Sequence, residues 1–193
     1  MPEIISFTQW QRRATLKHAR HLLGKFLVRP GGVAHMITEV EAYDGERDLA
    51  CHARAGRTQR TEVLYAAGGV WYVYLCYGVH EMLNLVVGPA DWPAAVLIRG
   101  VAGCAGPGRV TRALGIDRRL NGAAAQPASG LWIEDRGIHV APRHVQASPR
   151  IGVDFAGPVW SGKAWRFRID PGALTGRRAG RPRAKSPRQR SRI

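Results

Sequence analysis

The stretch "ITEVEAY" (Ile37–Tyr43) sets two glutamates and a tyrosine at every second position. On an extended strand, alternate side chains share a face. Ile37, Glu39, Glu41 and Tyr43 then lie on one side, and Met36, Thr38, Val40 and Ala42 on the other. The second set suits a core. The first gathers two carboxylates beside an aromatic ring, a grouping that costs desolvation energy if enclosed. A carboxylate next to a cation stays ionised and can accept a proton from water. Arg99 offers such a cation, interrupting the apolar run "AAVLIRGV" (Ala94–Val101). The chemistry on offer is hydrolysis by a carboxylate-activated water. Its ordinary alternative is a pair of solvated or salt-bridged acids, and spacing alone does not choose between Glu39 and Glu41.

Other chemistries lack their residues. "GCAGPGRV" has the glycine spacing of a phosphate-binding loop, but Arg109-Val110 replaces the Lys-Ser/Thr pair, which excludes nucleotide binding of that type. Its glycine-rich helix start can still face a phosphate, and Arg109 and Arg112 are candidates for DNA-backbone contact. There is no GxSxG, and Cys51 and His52 are adjacent, so on a strand they point apart. His18 and His21, one turn apart on a helix without a neighbouring carboxylate or cysteine, read as exposed histidines rather than metal ligands. No metal site is expected.

These residues need elements to hold them. Thr8 can cap a helix running to Leu23, with Trp10, Ala14, Leu16, Ala19 and Leu23 as its apolar stripe and Gly24 as its stop. "TQRTEVLYAAGG" (Thr58–Gly69) reads as a short capped helix. "WYVYLCYGVH" (Trp71–His80) and "VHEMLNLVVG" form a hairpin across Tyr77-Gly78. Trp71, Val73 and Leu75 face the core, while Tyr72 and Tyr74 face the other way and suit contact with a flat, electron-poor base. A loop leads into a helix within Gly106–Gly115, and short strands recur at Leu131–Gly137 and Ala164–Ile169. Intermixed strands and helices with short connections predict one compact α+β domain with a mixed or antiparallel β core and surrounding helices.

The chain has 193 residues, 45% of them hydrophobic, and a formal net charge of +15. That excess favours a polyanionic partner, nucleic acid before an anionic membrane. Eight of the cations, with no acid, lie in Gly176–Ile193. We divide the chain into a domain at 1–175 and a disordered basic arm at 176–193. No apolar run is long enough to span a membrane, the start lacks the order of a signal peptide, and three widely spaced cysteines suggest reduced thiols. The expected location is cytoplasmic, with the nucleoid.

Together, "EVEAYDGERDLACHARAGRTQR", "WYVYLCYGVHEMLN", "AAVLIRG", "GPGRVTRALGID" and "PRIGVDFAG" resemble, in order, the alkyladenine (3-methyladenine) DNA glycosylase family, over roughly residues 19–169. The resemblance implies a hydrolase that flips an alkylated or deaminated purine out of duplex DNA and cleaves its N-glycosidic bond. It implies no cofactor and a monomer acting on double-stranded DNA with damaged purines. Glu41 matches the general base and Arg99 the residue that helps hold the base and water. Tyr43, His52 and Tyr74 match residues enclosing the flipped base, and Asn84 the position that disfavours a guanine amine. Tyr77 matches the side chain on the hairpin that is inserted into DNA. After "RTQR" the chain departs from the family pattern, with "TEVLYAAGG" in place of Asn followed by an aromatic-Gly-Pro segment. The rival reading is a non-catalytic basic nucleic-acid-binding module.

Overall fold

The computed structural model describes residues 2–174. The basic arm expected at 176–193 lies outside the described residues. The strands are β1 (Glu3–Ile4), β2 (Phe26–Val28), β3 (Ala34–Asp44), β4 (Trp71–Cys76), β5 (His80–Val86), β6 (Ala94–Val101), β7 (Cys104–Ala105), β8 (Trp132–Asp135), β9 (Gln146–Ser148) and β10 (Arg166–Arg168). The helices are α1 (Thr15–Leu22), α2 (Pro107–Ala113), α3 (Gly157–Ser161) and α4 (Pro171–Leu174). One sheet runs β1-β8-β2-β3-β6-β5-β4, with β10 also paired to β3. Every pairing between these strands is antiparallel. The fold is α+β, and no described helix is long and apolar enough to cross a membrane.

The sheet has two different faces. Val40, Ala42, Val96, Ile98, Leu83, Leu85, Trp71 and Val73 form the main core with residues of α1 and α2. The opposite face carries a cross-strand row: Glu41 of β3 pairs with Leu97 of β6, Leu97 with Asn84 of β5, and Asn84 with Tyr72 of β4. The period of two thus brings residues far apart in sequence onto one surface.

Strict alternation fails at one point in β3. Its register with β6 shifts between Ile37 and Val40, the signature of a bulge. Ile37 consequently joins the core with Val40 and Ala42, and Met36 is only half-buried. Glu41 and Tyr43 lie beyond the irregularity, and Glu39, within it, still shares their face through Arg99, which reaches both acids.

The first helix is shorter than its sequence pattern. Residues Phe7–Trp10 form a separate 3-10 turn, and α1 begins only at Thr15. Trp10 is fully buried, and its carbonyl accepts the Gly88 N–H at 2.6 Å. That anchor fixes the turn independently of α1. Thr15, His18, Ala19 and Leu22 form the buried stripe. His18 is therefore not exposed as expected: its Nε2 bonds the Arg12 carbonyl at 2.8 Å and its ring meets Trp10 edge-on. His21 does remain exposed. Gly24, at φ 81°, terminates the helix in a conformation that costs other residues strain. The expected helix after Thr58 is a single 3-10 turn, Glu62–Tyr65, preceded by mutual hydrogen bonds between Thr58 and Thr61.

The hairpin follows the sequence closely. Cys76 pairs with His80, and the Val79 N–H closes on the Cys76 carbonyl at 3.1 Å. Both Tyr77 and Gly78 have positive φ, 50° and 71°, as the tight turns favoured in hairpins require. Glycine does this freely; tyrosine does not. Tyr77 nevertheless holds that conformation while the residue is 90% exposed. Leu75, expected in the core, is instead half-buried at the strand's end.

Candidate active site

A cavity of about 520 Å³ opens over the sheet face that carries the cross-strand row. Tyr43, His52, Tyr74, Asn84, Arg99 and Tyr77 all contribute to its wall. Arg109 and Arg112 do not; they sit exposed on α2, whose first residue, Pro107, reaches the cavity. Leu97 and Ala95 of β6 fill the floor between the polar groups.

Glu41 lies one layer behind this wall and is 0% exposed. Its partners line the cavity. Oε2 accepts the Tyr43 hydroxyl at 2.9 Å and Arg99 Nη1 at 3.3 Å, and Oε1 accepts the Ile151 backbone N–H at 2.8 Å. A carboxylate offers about four acceptor positions, so three donors leave room for one more. Burial pushes the Glu41 carboxyl above its ordinary value; Arg99, the Ile151 N–H, Tyr43 and Arg150 each pull it back. Glu39 is held differently, between Arg99 Nε at 3.2 Å and Arg166 Nη1 at 3.4 Å. Arg99 therefore bridges the two acids, and only Glu41 is also bonded to Tyr43 and Ile151.

The aromatic wall is built around His52. Its Nδ1 lies 3.0 Å from the Tyr72 hydroxyl, and its ring meets Tyr74 at 4.5 Å between centroids and 70° between planes. Burial, reinforced by Arg60 and Arg54, lowers His52 to about 4, so the imidazole is neutral at pH 7. Burial also raises Tyr43 and Tyr74, which remain neutral phenols. Asn84 donates Nδ2 to the carbonyls of Tyr72 and Met82, which fixes its orientation.

Several contributors were not assigned from sequence. Arg150 and Asp48 form an ion pair with both side chains 0% exposed, at 2.6 Å. Arg150 also donates to the Ala42 carbonyl and lies 4.8 Å from the Tyr43 ring centre. It fixes the segment whose next residue supplies the Ile151 N–H. Phe155, 62% exposed, forms part of the cavity wall with Arg54 stacked on it at 4.7 Å. Both loops lie within stretches that carry the family resemblance, "PRIGVDFAG" and "DGERDLACHAR", which was the available signal. Among the described residues, no group of three or more His, Cys, Asp or Glu side chains is arranged to hold a metal ion.

A buried acid bridged to arginine thus sits behind an aromatic cavity on a strongly basic α+β protein, an arrangement compatible with a hydrolase, and comparison with known proteins gives its class as DNA glycosylase. Residues 9–103 and 101–172 match the family model of methylpurine-DNA glycosylase, and the chain belongs to that family. It is 43% identical over 192 residues to a proposed 3-methyladenine DNA glycosylase of Psychrobacter cryohalolentis, covering 82% of this chain and 88% of the relative. A protein of the same designation from Anaeromyxobacter sp. strain Fw109-5 is 42% identical, over 94% of this chain and 97% of its own. The DNA-3-methyladenine glycosylase of Arabidopsis thaliana is 39% identical, over 78% of this chain and 66% of its own.

Proposed function

We propose that this protein is a monofunctional DNA glycosylase that flips an alkylated or deaminated purine out of duplex DNA and hydrolyses its N-glycosidic bond. The observation that carries this reading is the Glu41 carboxylate, wholly buried, raised in pKa and bonded to three groups that line the aromatic cavity. Once the wall in front of Glu41 gives way to the incoming nucleotide, a water takes the remaining acceptor position, gives a proton to Glu41 and attacks C1′ through its oxygen. The C1′–N bond breaks, its electron pair leaves with the base, and an abasic site remains. Positive charge develops on the sugar in such a displacement, and the nearby carboxylate stabilises it.

Tyr43, His52 and Tyr74 enclose the extracted base, and Asn84 acts against a guanine amine. The neutral His52 ring adds no positive charge beside a cationic alkylated purine. At pH 7 it is also not poised as a general acid for a neutral base such as hypoxanthine. Tyr77 fills the gap in the stack, compensating part of the few kcal/mol that extraction costs. Arg109 and Arg112 contact the DNA backbone. Residues 1–175 form the catalytic domain of a monomer, and the arginine-rich 176–193 adds sequence-independent affinity.

The test is a duplex carrying one hypoxanthine or one alkylpurine, incubated with the protein and treated with alkali to cut abasic sites. Wild type produces the cut, and Glu41→Gln lowers the rate by about 10²–10⁴-fold, the range for loss of a general base. Equal cutting by both proteins, or no cut by wild type, removes the enzymatic reading and leaves the binding module. A borohydride-trapped covalent adduct with DNA would overturn the monofunctional assignment.

A further inference from the structure

A second cavity of about 290 Å³ adjoins the first; Arg60, Tyr72, Tyr74 and Leu75 line both. Gln59, Arg118 and Asn121 complete its polar lining, and no carboxylate of the described residues lines it. It lies at β4, the last strand in the sheet order, whose outer edge is not covered by another strand among the described residues.

The groups at this edge have an uneven hydrogen-bond balance. Trp71 and Val73 turn their N–H groups away from β5, donating to the Ala123 carbonyl at 2.8 Å and to Asn121 Oδ1 at 3.0 Å. The period of two turns the Leu75 N–H to the same edge, where no described residue accepts it. Asn121 has spent its oxygen on Val73, and its amide N–H₂ has no acceptor among the described residues. Arg118 is steadied through Nε by Glu81 at 3.1 Å and is 61% exposed, with both terminal nitrogens left over. Arg60 forms no ion pair with a described residue. Two guanidinium groups, an amide and a backbone N–H, all with donors to spare, describe a site for a multiply accepting anion.

We propose that the second cavity binds one phosphodiester of the DNA strand whose damaged nucleotide enters the first cavity. The inference rests on the DNA glycosylase reading. The shared wall supplies the geometry: a base lying against Tyr72 and Tyr74 on one side leaves its strand next to the cationic pocket on the other. Holding a phosphate there anchors the strand beside the extracted nucleotide.

Binding to a duplex with one central tetrahydrofuran residue, an abasic analogue that cannot react, tests this by fluorescence anisotropy over a range of NaCl concentrations. Asn121→Asp keeps the acceptor for the Val73 N–H and replaces only the spare donor by a charged oxygen. Asn121→Asp and Arg118→Gln are each expected to weaken binding about tenfold at low salt, and Arg118→Gln to flatten the log–log salt slope by about 1. Neutral methylphosphonates, placed singly along the strand, then find the phosphate. One position should weaken wild type and leave Asn121→Asp unchanged. Unaltered affinity and slope in variants with wild-type melting, or equal methylphosphonate losses in both proteins, overturn the subsite. Excision with unaltered binding removes the subsite alone. The expected binding losses without any excision remove the enzymatic reading alone. A wild type that binds no duplex removes both.

Discussion

The Tyr43 phenol donates a 2.9 Å hydrogen bond to Oε2 of Glu41, its neighbour two residues earlier on the same strand face. Arg99 reaches the same oxygen at 3.3 Å. The bond favours the ionised carboxylate, yet burial outweighs it and leaves the Glu41 pKa above the ordinary 4.5. The base form is lost as pH falls through that raised value. Single-turnover excision should therefore have an acid limb above pH 4.5, and Tyr43→Phe, which removes a stabilising donor, should move that limb to higher pH. A pH profile of a neutral lesion measures both. An unmoved limb in Tyr43→Phe would separate the rate from Glu41 ionisation.

His52 carries a different pH signature, in stability rather than rate. Its folded value is about 4 against 6.5 in the unfolded chain. Between those values the unfolded state binds a proton that the native state refuses. Stability should fall as pH drops from about 6.5 to about 4, by up to about 3 kcal/mol at 1.36 kcal/mol per unit. Urea unfolding at pH 7 and pH 4.5 measures the difference. His52→Gln, which cannot charge, should flatten that part of the pH dependence.

Local periodicity discloses part of this site, and family resemblance the rest. Alternation in β3 put Glu39, Glu41 and Tyr43 on one face, and it survived because the bulge falls before Glu41. That bulge exchanged the roles of Ile37 and Met36, since periodicity does not report an inserted residue. The Thr8–Leu23 stripe read as one helix because Trp10 has suitable spacing. Its bond to Gly88, a partner 78 positions away, is what separates the turn from α1. The donors to Glu41 divide similarly: Tyr43 is local, whereas Ile151 approaches from 110 residues away. Only family resemblance brought such distant segments together in advance.

Arg150 and Asp48 give the approach of Ile151 a test. Removing one partner of a buried pair strands the other charge, so Asp48→Ala should cost about 3–5 kcal/mol in urea unfolding. The apolar exchange Arg150→Met with Asp48→Leu should recover much of that loss. It does not restore the guanidinium against Tyr43 or the bond to the Ala42 carbonyl. Excision by the double variant should remain impaired at temperatures where its circular dichroism is native. Full activity in that variant would reduce the pair to a packing element.

Tyr77 tests the hairpin by separating backbone from side chain. At φ 50° a non-glycine residue carries about 1 kcal/mol of strain, held here without burial of the ring. Tyr77→Ala keeps the strain and loses the ring; Tyr77→Gly loses both. Glycine should therefore be the more stable variant by up to about 1 kcal/mol, less the added freedom of its unfolded chain, as read from the urea midpoints. The two variants should be equally poor at excision from duplex DNA, because both lack the group that occupies the vacated stack. On single-stranded substrate, where no stack is opened, both should lose less. A glycine variant that restored duplex excision would make the turn conformation the working part of the hairpin. Equal losses on single and double strands would remove the wedge and make Tyr77 part of the cavity wall alone.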